Sequence, residues 1–354
     1  MTRYSDLDTP AVLIDLDRAE ANLRNAQDAA NRAGLKLRPH IKTHKLPFFA
    51  RKQVELGAAG ITVQKLGEAE VMADAGLTDL LLTFNIIGAA KLKRLKALHD
   101  RVTIRVVADS ADCVAGLAAT FTDPARPLGV FVECDTGMGR CGVQSPHAAL
   151  DLSEKITAAP GLAFAGLMTY PAAGKYHEAN QWLASAKTLL EQRNIAVPAI
   201  TTGGTPDIWH MQDAGGIATE YRPGTYIYMD RSQVAAGAAS FDDCALTVLA
   251  TVVSRPTENR AIIDAGSKAL TSDLLGLVGH GHVVEYPDAK ITGLSEEHGT
   301  IDISACAEKP KIGDTIRIIP NHCCPVTNLF DHVHLIRNGN LVETLPVAAR
   351  GRVD

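Results

Sequence analysis

The sequence predicts a (β/α)8 barrel followed by a smaller all-β domain, on three observations. Short β-rich runs alternate with longer stretches of helical periodicity up to about residue 229, the pattern of a parallel sheet with crossover helices. The alternation gives about eight strands over roughly 210 residues, near the usual length of such barrels. Beyond Asp230 the texture changes to apolar, β-branched runs separated by Gly, Pro and Asn turns, which reads as a sheet domain. A doubly wound open sheet is the alternative for the first part. A chain of 354 residues accommodates one large and one smaller domain. The expected division is residues 1–230 and 231–354, with the first strand open to being shared between them.

Strand runs follow one another at residues 11–16, 35–41, 60–63, 79–83, 102–107, 129–133, 162–168, 199–202 and 219–223. Helical spacing between them is clearest at 18–33, from Leu66-Gly67-Glu68-Ala69-Glu70 onward, and at 89–99. The runs of the sheet domain are 245–254, 260–264, 299–303, 315–319 and 332–336. No internal repeat or low-complexity linker separates the two textures.

Composition excludes several classes. The net charge is −5, no lysine or arginine block exists, and only 5% of residues are aromatic, so nucleic acid is not an expected partner. No apolar run approaches the ~20 residues that span a bilayer. Met1-Thr2-Arg3-Tyr4-Ser5-Asp6-Leu7-Asp8 has no signal-peptide core, so a cytoplasmic protein without membrane partners is expected. The seven cysteines (Cys113, Cys134, Cys141, Cys244, Cys306, Cys323, Cys324) contain no CxxC pair and read as reduced thiols, one of them available to a metal.

Arg38-Pro39-His40-Ile41-Lys42-Thr43-His44-Lys45 follows a strand run directly, which places it at the C-terminal mouth of a barrel, where catalytic residues sit. Clustered like charge lowers an amine pKa and makes it nucleophilic toward a carbonyl. A Schiff-base lysine is therefore one reading, and a basic solvated loop the other. Asp135-Thr136-Gly137-Met138-Gly139-Arg140-Cys141-Gly142 follows another strand, with three glycines that permit close backbone approach to a ligand and Arg140 placed to face an anion. Thr201-Thr202-Gly203-Gly204-Thr205-Pro206 could cradle a phosphate with backbone N–H groups. It has no Walker lysine, and GxGxxG is absent, so nucleotide binding is disfavoured. Glu220-Tyr221-Arg222-Pro223-Gly224-Thr225-Tyr226 ends the last barrel strand, where phosphate sites are often completed.

In the sheet domain, Pro320-Asn321-His322-Cys323-Cys324-Pro325 follows a strand run. On an extended segment His322 and Cys324 would point to the same side, as an imidazole and thiolate pair suited to zinc. Two ligands leave coordination to water and substrate, as in catalytic sites. A buried thiol beside a hydrogen-bonded histidine is the plainer reading. Asp264-Ala265-Gly266-Ser267-Lys268 and Glu296-Glu297-His298-Gly299 read as charged turns.

Taken together and in order, these motifs resemble the fold-type III pyridoxal-phosphate enzymes of the alanine racemase superfamily, and within it the D-threonine aldolase and D-serine dehydratase group. The resemblance runs from Asp8-Thr9-Pro10 to the His322 region. It implies that Arg38 to Lys45 is the cofactor-lysine motif, in which Lys42 holds pyridoxal 5'-phosphate and His40 contacts it, and that Arg140 faces the cofactor's phenolic oxygen. It also implies that Thr202, Gly203, Gly204 and Thr205, with Gly224 and Tyr226, form the phosphate cup. His322 and Cys324 match the divalent-metal motif, for zinc, manganese or magnesium. Tyr170, at the end of the strand at 162–168, is an expected active-site contact. Aldolases of the group often carry aspartate at the second metal position and dehydratases cysteine. Cys324 therefore follows the dehydratases, while Pro325, Asn328 and Leu329 keep the aldolase pattern.

The implied activity is a lyase acting on β-hydroxy-D-amino acids, with retro-aldol cleavage to glycine and an aldehyde. The alternative is dehydration of D-serine or 3-hydroxyaspartate to a keto acid and ammonia. A racemase would need a second base, for which Tyr286 is a candidate, and a non-catalytic cofactor carrier would not need the β domain. The resemblance also implies a homodimer in which the β domain of one subunit closes the barrel of the other.

Overall fold

The structure, a computed structural model, describes residues 3–214 and 216–354. It divides into two compact units, each assembled from separate stretches of chain. One comprises the chain up to Arg24, Thr43–Leu46 and Thr225–Gly351, and the other Asn25–Lys42, Pro47–Gly224 and Arg352–Asp354.

The first strand, β1 (Ala11–Asp15), belongs to the former unit. The latter contains eight parallel strands: β2 (Lys36–Leu37), β3 (Ile61–Val63), β4 (Asp79–Asn85), β5 (Thr103–Ala108), β6 (Leu128–Glu133), β7 (Leu162–Met168), β8 (Ile200–Thr202) and β9 (Glu220–Tyr221). They are ordered β2-β9-β8-β7-β6-β5-β4-β3, and a parallel bridge between His40 and Thr62 joins the two ends. This is the barrel that the alternation predicts. Helices cross between successive strands, and the sequence starts them locally. Ser110 accepts a bond from the Cys113 N–H and Ser145 from the Ala148 N–H, the latter with Pro146 in the first turn, both ordinary N-caps.

Side chains alternate across a strand, so one face of each strand fills the barrel in layers. Leu81, Val107, Phe131 and Met168 form an apolar layer, with Ala165 and Ala199 packed on it. Two residues earlier along their strands the interior is ionic. Arg38 donates to Asp79 at 2.5 Å and to Glu220 at 2.7 Å, and Arg105 to Asp79 at 2.9 Å. Two residues later on β4 and β6 come Thr83 and Glu133, at the mouth.

The other unit holds a nine-stranded sheet. Besides β1 it contains β10 (Leu246–Thr257), β11 (Arg260–Ile263), β12 (His282–Val283), β13 (Lys290–Leu294), β14 (Gly299–Asp302), β15 (Thr315–Ile319), β16 (His332–Arg337) and β17 (Asn340–Pro346). The main path is β13-β14-β11-β10-β1-β16-β17, with β15 pairing β10 and β12. In the sequence, residues 11–16 open the barrel's α/β alternation, whereas here they pair antiparallel with β10 and parallel with β16. The physical reason is visible in the strand. Val12, Leu13 and Ile14 are fully buried, on both faces, and a central position in the second sheet supplies cover for both.

Removing one partner of a buried ion pair leaves an uncompensated charge, at a cost of about 3–5 kcal/mol. Arg38→Met is expected to lower stability by about that amount in urea unfolding, because Glu220 then loses its hydrogen-bonded cation and Asp79 keeps Arg105. A loss of less than about 1 kcal/mol would show that the layer is solvated.

Candidate active site

The barrel unit's candidate residues lie around the point where the sheet closes. The Ile41 N–H donates to the Thr62 carbonyl at 2.9 Å and the Thr62 N–H to the Pro39 carbonyl at 2.7 Å. Just beyond, the half-buried Lys42 takes its backbone direction from His40, whose Nδ1 accepts the Lys42 N–H at 3.3 Å. The other nitrogen, Nε2, lies 3.0 Å from Gln64 Oε1, and Gln64 in turn donates to the Thr83 carbonyl. Both ring nitrogens of His40 are thus engaged in holding the turn.

Arg38 does not take part in the like-charge cluster expected at residues 38–45. Arg38 points to the opposite end of the barrel, onto Asp79 and Glu220. In the other unit, Lys45 Nζ donates to the Ala349 carbonyl at 3.3 Å. Lys42 has an aromatic neighbour in their place, with its Nζ 5.8 Å from the Tyr170 ring centroid. Arg140 Cζ lies 5.3 Å from the same centroid. One ring therefore collects the two cations that could address an aldehyde and a phenolate. The Arg140 loop is shaped by Asp135, which accepts the N–H groups of Gly137 and Gly139 at 3.0 and 3.1 Å.

The glycine turn after β8 is a cradle that side chains would fill. Gly203 has φ +93°, and a Cβ there would sit 2.3 Å from the Tyr221 ring. One on Gly204 would lie 3.0 Å from Tyr170. The Tyr221 hydroxyl donates to the Gly204 carbonyl at 2.8 Å, fixing the turn. Thr202 is fully buried and its hydroxyl oxygen has no hydrogen-bond partner, a cost that a bound acceptor would relieve. An amine, an aromatic platform, an arginine and a glycine turn without side chains beside an unspent hydroxyl fit pyridoxal 5'-phosphate. Gly224 and Tyr226 are both buried, and they fall in different units.

Two charged groups of this region escape sequence reasoning. Glu133 is buried at the end of β6 and lines a cavity of about 430 Å³ with Gln64, Thr83, Asn85 and Arg140. Burial pushes its carboxyl up to about 7, against the opposing pull of Arg140. Arg222 is buried and donates to Thr201 Oγ1 at 2.8 Å and to the Thr169 carbonyl. Burial lowers its pKa to about 10, against the pull of Glu220 and Glu133. Each follows a strand or ends one, but nothing in their spacing marks them.

The sheet unit carries His322 and Cys324. They do not lie on an extended segment as expected. His322 is the N-cap of the helix Cys323–Leu329, so the pair occupies the cap and the second helical position. The His322 side chain makes no capping hydrogen bond to the first turn, and the nearby Cys324 acts on it electrostatically. His322 Nδ1 is also 2.8 Å from Asp273 Oδ2. Burial disfavours the imidazolium, but Cys324 and Asp273 outweigh it and raise the pKa to about 9. Two hydroxyls approach Cys324 Sγ, Thr43 Oγ1 at 3.1 Å and Thr225 Oγ1 at 3.7 Å.

The support beneath this pair is polar and buried. Asp230 is fully buried and accepts the Cys323 N–H at 3.0 Å, Ser232 Oγ at 2.6 Å and the Gln233 N–H at 3.1 Å. Asn321 donates to the Gly279 carbonyl and accepts from Arg231. Among the described residues no group of three or more His, Cys, Asp or Glu is arranged to hold a metal ion. An imidazole and a thiol on one fixed turn, with a carboxylate behind the imidazole, fit a divalent metal bound by two protein ligands. Asp273 lies far from His322 in the chain, which is why no motif reveals it. In the two charged turns Asp264 accepts from Thr9 and Thr251, and the exposed Lys268 pairs with Glu297.

The family model for the N-terminal domain of alanine racemase matches residues 14–232. The chain belongs to that family. The model for a putative serine dehydratase domain matches residues 245–336, which places it in the D-threonine aldolase and D-serine dehydratase group of this superfamily. The family member is 34% identical to a D-threonine aldolase of Arthrobacter sp, over 98% of this chain and 93% of that one. The crystal structure of a D-threonine aldolase from Filomicrobium marinum has a TM-score of 0.92 to it at 32% identity, covering 100% of this chain and 98% of the other. A D-threo-3-hydroxyaspartate dehydratase from Delftia sp. has a TM-score of 0.87 at 28% identity, covering 98% and 99%. Dehydratases of that name have been solved as a histidine-to-alanine mutant and, two positions further on, as a cysteine-to-alanine mutant in the metal-free form.

The Glu133 carboxyl yields a pH test. The folded chain holds this proton up to about 7, whereas the ordinary value is 4.5. The native state therefore binds more protons across that window, and Glu133 costs stability as the pH rises through it. Glu133→Gln is expected to match the wild type near pH 4 and to exceed it at pH 8 by on the order of 2–3 kcal/mol in urea unfolding.

Proposed function

We propose that the protein is a pyridoxal-phosphate- and divalent-metal-dependent lyase that cleaves β-hydroxy-D-amino acids to glycine and an aldehyde. The observation that carries the reading is the likeness to D-threonine aldolases over essentially the whole chain, at 34% identity in one relative and a TM-score of 0.92 in another. In this reading Lys42 binds the cofactor's aldehyde carbon through its amine, and His40 fixes the backbone from which that amine projects. Arg140 faces the phenolic oxygen across Tyr170. Thr202, Gly203, Gly204, Thr205 and Gly224 receive the phosphate. His322 and Cys324 hold the metal, with Asp273 orienting the imidazole. When bound, the cofactor supplies an electron sink for the bond broken at Cα, and the metal a Lewis acid for the β-oxygen.

Cys324 supports a second reading, dehydration to a keto acid and ammonia, because it follows His322 at the two-residue spacing of the histidine and cysteine changed in the dehydratase mutants. There Lys42 would take the Cα proton and the β-hydroxyl would leave as hydroxide. The two readings share every residue and differ in which bond to Cα breaks. A soft thiolate favours zinc over manganese or magnesium. By resemblance to the family the working form is a homodimer.

Incubation with D-threonine and D-serine separates the readings. Acetaldehyde and glycine, lost with EDTA and restored by zinc or manganese, are the expected outcome. Metal-dependent keto acid would establish the dehydratase, and D/L interconversion that survives EDTA the racemase. Lys42→Ala is expected to abolish turnover and the near-visible absorbance of bound cofactor, and absorbance that persists would overturn the assignment of Lys42.

A further inference from the structure

Thr43 has no part in the roles assigned above, yet its hydroxyl makes one of the closest contacts of the candidate metal ligand. It is fully buried, and Oγ1 lies 3.1 Å from Cys324 Sγ, well inside the range for a hydrogen bond to sulfur. The second hydroxyl, on Thr225, stands at 3.7 Å. Burying a hydroxyl is unfavourable unless it is bonded, and a valine would fill the same volume without that cost.

We propose that Thr43 is a positioning residue for the metal thiolate, donating its hydroxyl hydrogen to Cys324 Sγ. The inference rests on His322 and Cys324 being the metal ligands. A thiolate on a metal has only lone pairs to offer, so the hydroxyl must be the donor. The bond occupies one lone pair of sulfur and fixes the side-chain rotamer, so that another is left in a constant direction for the metal. It also withdraws electron density from sulfur, and the metal keeps more of its Lewis acidity. Partners of this kind change metal affinity by about 10–100-fold when removed. Thr225, at the longer distance, contributes less. Thr43 is also the residue after Lys42, so the group that holds the thiolate and the group that holds the cofactor are consecutive.

The test uses the cofactor-loaded protein with two readouts besides turnover: zinc affinity against a competing chelator, and the thiolate-to-cobalt absorption band in the difference spectrum after Co²⁺ is added. Thr43→Val is expected to weaken zinc binding by about tenfold or more and to move the band to longer wavelength, since an unbonded sulfur releases its electrons more easily. Thr43→Ser should restore both values, and Thr225→Val should move both by less. Thr43→Ala, which introduces no misfitting branch, should behave as Thr43→Val does while the cofactor absorbance stays that of the wild type. Wild-type affinity and band position in the valine and alanine variants would overturn the proposal and leave the metal ligands standing. A wild type that shows neither zinc retention nor a thiolate band would overturn the ligand assignment and this inference together.

Discussion

A sheet of parallel strands satisfies its edge groups only when its two ends meet, and here they meet over residues 36–41. The N–H groups of Lys36, Arg38 and His40 donate to carbonyls at Thr219, Tyr221 and Pro223, while Pro39 and Ile41 bond Thr62 on the opposite side. One short segment thus zips two strands at once. Its register is fixed from both flanks, and a slip of one residue would turn every side chain to the other face. Arg38 must therefore enter the ionic layer, His40 must reach Gln64, and Lys42 is the first residue past the seam. The strictest hydrogen-bonding requirement of the fold coincides with the place where cofactor attachment needs the least positional freedom.

The sheet unit reaches similar rigidity by different means. Its candidate ligands sit on a helix start rather than a strand, and a short helix has little stability of its own. Asp230 compensates by accepting from the backbone of both Cys323 and Gln233, tying two helix starts to one buried carboxylate. That carboxyl is pushed above its ordinary range by burial, against the bonds from Ser232 and Cys323. A second carboxylate, Asp273, holds the imidazole from outside. The site is built on groups that are costly to bury, which is the usual sign that placement matters more than stability there.

Period and texture carry over into the structure where one element decides the outcome. The runs at 79–83, 102–107, 129–133 and 162–168 become β4 to β7 because alternation and burial agree along them. The glycine motifs were legible because positive φ and missing Cβ atoms leave direct traces in composition. What the chain does not announce is partner choice. An apolar run such as Val12-Leu13-Ile14 fits either sheet, and only long-range pairing decides. The histidine and cysteine pair was found by type, but its helical setting was not, since Pro320 to Pro325 contains no helical period. The strand at Asn340–Pro346 is largely exposed and shows no buried face to betray it. Asp273, Thr225 and Glu133 acquire meaning only from what the fold brings beside them.

The position of β1 bears on how the chain is made. Leu13 pairs with Thr247 and His334, so at ordinary synthesis rates of about 5–20 residues per second, roughly ten to sixty seconds separate this strand from its neighbours. Every barrel strand emerges in that interval and can close its ring. Until β10 and β16 arrive, Val12, Leu13 and Ile14 remain a short apolar strand with both edges bare. Nascent chains therefore carry an apolar strand with unpaired edges until the last third of the protein has been made.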